Sequence, residues 1–125
     1  MSRLDIRRAE VKDAQAFHRV EEDAAALLRT EPSLAGITIP PSRSPAQYEE
    51  IIRQGHSLAA VTDRLVVGIA AARPFGYELH LHELSVASAA QRRGVGTALL
   101  IALIDRARAA GFDAVTLNTF RDIPW

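Results

Sequence analysis

Residues 91–100 read Gln-Arg-Arg-Gly-Val-Gly-Thr-Ala-Leu-Leu. Two arginines and two glycines fall within six positions, and the chain then turns abruptly apolar. Upstream, residues 77–88 (YELHLHELSVAS) carry the alternation of a strand. Downstream, Val95, Ala98, Leu99, Ala102, Leu103, Ala107 and Ala110 recur at spacings of three and four, which predicts a helix ending at Gly111. Strand, glycine-rich turn and long helix in that order point to an α/β chain. They also set the unpaired N–H groups and positive dipole end of a helix beside two arginines. Gly94 and Gly96 have no Cβ, so an anionic group can approach the backbone there. The planar fork of Arg92 and Arg93 matches phosphate. The stretch reads as a diphosphate cradle; the bland alternative is an ordinary helix start with solvent-facing arginines.

Two familiar nucleotide loops fail on residue identity. A dinucleotide fingerprint needs a third glycine where Leu99 stands, and no G-x-x-x-x-G-K-[ST] run occurs. Other classes fall to composition. The 125 residues, 48% of them hydrophobic, suit one domain with a core. Fifteen basic residues balance fifteen acidic ones, which gives no support for a nucleic-acid or membrane-surface binder. The absence of cysteine excludes disulfides, thiolate nucleophiles and zinc–thiolate sites. The N-terminus is charged where a signal peptide would be apolar. The longest apolar run, Ala98 to Ile104, is far short of the roughly 20 residues of a membrane span. A soluble cytoplasmic protein is the expectation.

Elsewhere, Leu4 and Ile6 mark a short strand. Val11, Ala14, Phe17, Val20, Ala24, Leu27 and Leu28 form the apolar face of a helix reaching about Arg29, with Glu21, Glu22 and Asp23 read as its wet side. Residues 30–43 hold Pro32, Gly36, Pro40 and Pro41 and read as a loop. Ser44, Pro45 and Gln47 spell a helix start with a capping box, and Gly55 a stop. Residues 57–63 and 65–73 then read as a hairpin turning at Asp63-Arg64, and residues 113–120 as a last strand.

The strand before the glycines breaks its own rhythm. Leu79 and Leu81 alternate, as do Leu84 and Val86, but the two pairs are out of phase. One extra residue at His82-Glu83, a β-bulge, restores all four to one face, and bulges are enriched beside active sites. A strand buried on both faces is the alternative.

The stretch LSVASAAQRRGVGTALL resembles the acetyl-CoA-binding motif of the GCN5-related N-acetyltransferases (GNAT superfamily), Q/R-x-x-G-x-G/A, matched at Gln91, Arg92, Arg93, Gly94, Val95 and Gly96. The order of elements along the chain fits the same superfamily. The resemblance implies a mixed, mostly antiparallel sheet flanked by helices, and residues 1–125 as a single acetyl-CoA-binding domain. It implies that the backbone of Leu84, Ser85 and Val86 meets the pantetheine arm, that Arg92 to Thr97 hold the pyrophosphate, and that a bulge in this strand opens the cofactor slot. The implied activity is direct acetyl transfer from acetyl-CoA, as co-substrate, to a primary amine on a small molecule or peptide.

Such transfer needs a base for the amine, a donor for charge developing on the thioester oxygen, and a proton for the leaving thiolate. The resemblance implies a backbone N–H near Val86 for the second. Glu83, at the bulge, is the first candidate for the base, with substrate positioning as its other role; His82 is the second candidate. His80 and His82 share a strand face, but no third ligand accompanies them, so no metal site is read. His18, Phe17, Arg7 and Arg8 read as packed or solvated residues.

One departure stands out. The superfamily's segment beyond residues 113–120 commonly carries an N-x-x-A-x-x-x-Y-type run with a tyrosine able to protonate the thiol. The sequence ends at Trp125, and Tyr48 and Tyr77 match no such position. The expectation is therefore a C-terminally incomplete domain, its last helix and strands missing, with its open edge covered by a partner such as a second copy. The competing expectation is a non-catalytic module of the same fold that binds coenzyme A or a protein.

Overall fold

The computed structural model describes residues 3–30, Gly36 and residues 41–117. Its elements are β1 (Asp5–Arg8), α1 (Ala14–Arg29), α2 (Pro45–Arg53), β2 (Leu58–Thr62), β3 (Leu65–Phe75), β4 (Glu78–Val86), α3 (Val95–Ala109) and β5 (Ala114–Leu117). The strands form one sheet in the order β1-β2-β3-β4-β5. All neighbours are antiparallel except β4 and β5, which are parallel. This is the mixed, mostly antiparallel sheet expected. The final residues of the predicted last strand, and Trp125, lie outside the described residues.

Local chemistry explains the boundaries. Ser44 accepts a hydrogen bond from Gln47 N while Gln47 accepts one from Ser44 N, closing the capping box at the start of α2. Asp63 and Arg64 both have positive φ, at 50° and 65°, the primed turn that suits the twist of a two-residue hairpin loop. The first helix starts later than its apolar pattern suggests. Val11–Asp13 forms a 3₁₀ turn, where Glu10 N donates to Asp13 Oδ2 at 2.7 Å. Arg7, read as solvated, instead grips the buried Asp13 through both guanidinium nitrogens, at 2.7 and 3.0 Å. Burial alone would raise the Asp13 carboxyl's pKa, but Arg7 and the Glu10 N–H outweigh it and hold it below the usual carboxylate range.

The two sheet faces have separate cores. On one, Leu99, Leu103, Val95 and Ala107 of α3 pack against Leu58, Ala70, Ala72, Leu79 and Leu81. Fully burying a leucine contributes roughly 1.5–3 kcal/mol, so Leu99 and Leu103 hold α3 against this face of the sheet. Gly68 lets the helix sit close: a Cβ there would lie 2.8 Å from Val95 Cγ1. On the other face, Phe17 and Val20 of α1 and Tyr48, Ile51 and Ile52 of α2 cover Ala59, Ile69 and Ala71, with Phe17 and Tyr48 in edge contact. The end of α1 corrects the sequence reading. Ala25 is buried and Leu27 is exposed, because the buried stripe drifts around a helix of 3.6 residues per turn. Among the described residues no helix is long and apolar enough to cross a membrane.

Candidate active site

The phase break in β4 is a bulge. Glu83 pairs with Ala71 and Leu81 with Ala72, which leaves His82 as the extra residue. Leu79 and Leu81 enter the α3-side core, Val86 packs at its margin, and Leu84 is partly exposed. His82 and Glu83 are thereby turned toward the α1/α2 side. The bulge also marks where the described pairing of β4 with β5 stops. Among the described residues β5 pairs with β4 only from Glu78 to Leu81. From His82 to Val86, next to the beginning of α3, β4 has no pairing with β5 among the described residues.

The turn into α3 is short of acceptors and rich in positive charge. Gly94 is the N-cap, with φ of +78°, a left-handed conformation that costs other residues roughly 1–2 kcal/mol. It offers no side-chain cap, and no acidic residue lies in the first turn. Ala98 N, donating to Gly94 O at 3.0 Å, is the first donor satisfied within the helix. The N–H groups of Val95, Gly96 and Thr97 have no protein acceptor among the described residues. Arg92 and Arg93 are exposed and form no ion pair among the described residues. Cations at the positive end of a helix dipole are unfavourable unless an anion joins them. Gly96 leaves room for one, since a Cβ there would meet only Val86 Cγ2, at 3.7 Å. Gln91 ties this turn to the strand: its Nε2 donates to Val86 O at 3.0 Å. On the far side, Asp23 accepts from Ser88 N at 2.7 Å and from its hydroxyl, anchoring α1 to the same connection.

Uncapped donors and a glycine-lined approach, beside strand backbone that β5 does not pair among the described residues, suit a pyrophosphate with an extended amide-bearing arm. The family model for the acetyltransferase (GNAT) family matches residues 14–122. The chain belongs to the GNAT acetyltransferase family. Its class of activity is N-acetyl transfer.

Solved structures share this GNAT fold at low identity. The chain is similar to the PaiA N-acetyltransferase from Thermoplasma acidophilum, solved in complex with coenzyme A: 16% identity, TM-score 0.78, covering 96% of this chain and 81% of that one. It is similar to Ard1 from Thermoplasma volcanium, at 20% identity and TM-score 0.75, covering 95% of this chain and 73% of that one. The ribosomal-protein-S18-alanine N-acetyltransferase from Escherichia coli also resembles it, at 20% identity and TM-score 0.74, covering 96% of this chain and 69% of that one.

Within the GNAT fold, Glu83 proves far from isolated. Its Oε1 lies 3.2 Å from Arg43 Nη1, and its Oε2 accepts a hydrogen bond of 2.5 Å from the buried Ser85 hydroxyl. Burial, and then the charge of Glu21, raise its pKa above the usual carboxylate value against the opposing pull of Ser85 and Arg43. His82 shifts the other way. Burial first, then His80, Arg43 and Arg73, hold it below the normal imidazole value and favour the neutral ring. Its ring meets His80 edge-on at 4.8 Å, and the two line an open cleft of about 570 Å³ with Arg73, Pro74 and Phe75. His80 also contacts Thr116 Oγ1 at 2.9 Å. Among the described residues no group of three or more His, Cys, Asp or Glu is arranged to hold a metal ion.

Sequence reasoning missed several partners. Glu21 and Asp23 were expected on the wet side of α1, and only Glu22 of that run is exposed. Glu21 accepts from the Tyr48 hydroxyl at 2.6 Å and from Arg43 N at 2.9 Å, while Asp23 holds Ser88. His18 is more than packed: its Nδ1 lies 2.7 Å from Arg43 O, so that nitrogen carries the proton. A signal was present for Glu21, four residues after the buried Phe17 and therefore on the same helix face.

Proposed function

We propose that this GNAT chain moves an acetyl group from acetyl-CoA directly to a primary amine of a small molecule or peptide. The single observation that carries the reading is the uncapped, acid-free, glycine-lined start of α3, beside the His82–Val86 stretch of β4 that has no pairing with β5 among the described residues. In this reading the backbone of Leu84, Ser85 and Val86 lies along the pantetheine arm. Gln91, Arg92, Arg93, Gly94, Val95, Gly96 and Thr97 form the pyrophosphate cradle. Gln91 acts by holding the turn to Val86, and Arg92 and Arg93 by supplying charge. Acetyl-CoA supplies the activated thioester.

The chain's own groups supply the rest. Glu83 takes the proton from the amine, directly or through water. Its pKa, raised by burial and then by the Glu21 charge, makes it a stronger base than a solvent carboxylate. Neutral His82, on the same side of the bulge, is the second acceptor for that proton. A backbone N–H near Val86 steadies charge on the thioester oxygen. Residues 1–125 form one acetyl-CoA-binding domain that works in the cytoplasm, without nucleic acid or membrane as partner, in keeping with its balanced charge. The outer edge, where β5 and its half-exposed Leu117 and Ile101 of α3 face outward, is covered by a second copy of the chain. Light scattering after size exclusion is expected to give twice the chain mass of 13.6 kDa; a monomer at high concentration contradicts that part of the reading.

Thermal-shift measurements with coenzyme A and acetyl-CoA, paired with a thiol-release assay over amines, peptides and aminoglycosides, test the function. Stabilisation with amine-dependent thiol release is the expected outcome. Stabilisation without release would favour a non-catalytic coenzyme A-binding module instead, and no stabilisation would remove both.

A further inference from the structure

Glu83 belongs to a cluster larger than acetyl transfer itself requires. The surrounding elements contribute Glu21 and His18 from α1, Arg43 from the segment before α2, Tyr48 from α2, and His82 and Ser85 from β4. Arg43 is held at three points: its N–H donates to Glu21 Oε1 at 2.9 Å, its carbonyl accepts from His18 Nδ1 at 2.7 Å, and its Nη1 lies 3.2 Å from Glu83 Oε1 and 3.8 Å from Glu21 Oε2. Glu21 cannot swing away, because the Tyr48 hydroxyl donates to it at 2.6 Å. The three charged side chains are 31%, 12% and 25% exposed for Arg43, Glu21 and Glu83. One guanidinium is thus shared between two largely desolvated carboxylates, an excess of one negative charge that the cluster does not neutralise.

We propose that Arg43 and Glu21 are positioning residues that act through Glu83: Arg43 fixes one of its oxygens and opposes its charge, and Glu21 sets how much of that opposition Glu83 receives. The inference rests on the reading of Glu83 as the base. The signs follow from Coulomb's law. Without the Arg43 cation, Glu83 faces Glu21 alone and is harder to ionise. Without the Glu21 charge, Arg43 serves Glu83 undivided and ionisation is easier. An adjacent cation lowers a carboxyl's pKa and an adjacent anion raises it, and partial exposure weakens both effects.

The test is the titration of the Glu83 side-chain carboxyl, followed by carbon NMR and assigned against Glu83→Gln, together with the pH profile of kcat/KM. Arg43→Gln is expected to move both midpoints up by about one pH unit, Glu21→Gln to move both down by about one, and Arg43→Lys to stay near the parent. A residue that merely holds the fold has no reason to give opposite displacements. Midpoints that move the same way in both glutamine variants, or stand still in both, overturn the proposal. If Arg43→Gln does not fold, Glu21→Gln decides, since the amide keeps an oxygen for Tyr48; no downward movement there is the contrary result. Should Glu83→Gln leave the acidic limb of the rate profile in place, the base assignment fails, and the carboxyl titration still decides the positioning roles.

Discussion

Gly96→Glu is expected to fold and to lose acetyl-CoA. The substitution does not damage the protein itself. Gly96 sits in the first turn of α3 without a left-handed φ, and a Cβ there makes only an ordinary contact with Val86. Replacing a helical glycine by a better helix former gains up to about 1 kcal/mol, so the melting temperature holds or rises slightly. The added carboxylate, however, lies among the donors of Val95, Gly96 and Thr97 and satisfies them itself. It also repels the incoming phosphates. Losing about 3 kcal/mol of ligand binding raises Kd by roughly a hundredfold. Isothermal titration calorimetry reads this directly, with Gly96→Ala as a control for steric bulk without charge. Unchanged affinity in the glutamate variant would mean that the phosphates sit elsewhere.

The second large effect belongs to Glu83→Gln. An amide is nearly the same size but cannot take a proton from the amine. A general base contributes typically 10²–10⁴ in rate, so kcat is expected to fall by about a hundredfold or more while the affinity for acetyl-CoA barely changes. The acidic limb of the pH profile should vanish with it. That limb lies above the usual carboxylate range in the parent, since burial and Glu21 raise the Glu83 pKa; the rate is present above that pKa and lost as pH falls through it. A variant whose kcat holds while KM for the amine rises would make Glu83 a substrate-positioning group instead.

What the sequence disclosed, and what it hid, divides by range. The capping box at Ser44, the hairpin turn at Asp63-Arg64, the α3 stripe and the phase break between Leu81 and Leu84 are all local patterns, and local backbone chemistry decides them. The bulge was legible because period two leaves only one way to return four apolar residues to a single face, unless both faces are buried. The cluster around Glu83 was not legible. Its bonds join residues 22, 27 and 40 positions apart, between segments whose relation is set only once α1 and α2 cover the sheet. A run such as Glu21-Glu22-Asp23 looks uniformly wet, yet helical geometry aims Glu21 at Tyr48 and Arg43 and Asp23 at Ser88, leaving only Glu22 to solvent. Arg43 follows two prolines in what reads as an ordinary loop, and nothing nearby in sequence marks the carboxylates it joins.

The central claim is that unpaired main-chain donors at the start of α3 wrap the paired phosphates of coenzyme A. A crystal structure of the chain grown with coenzyme A tests it most directly. The account predicts the pyrophosphate within hydrogen-bond reach of the N–H groups between Arg93 and Thr97, with the pantetheine arm running along Leu84–Val86. Phosphates bound anywhere else on the molecule, with that turn bare, would contradict it.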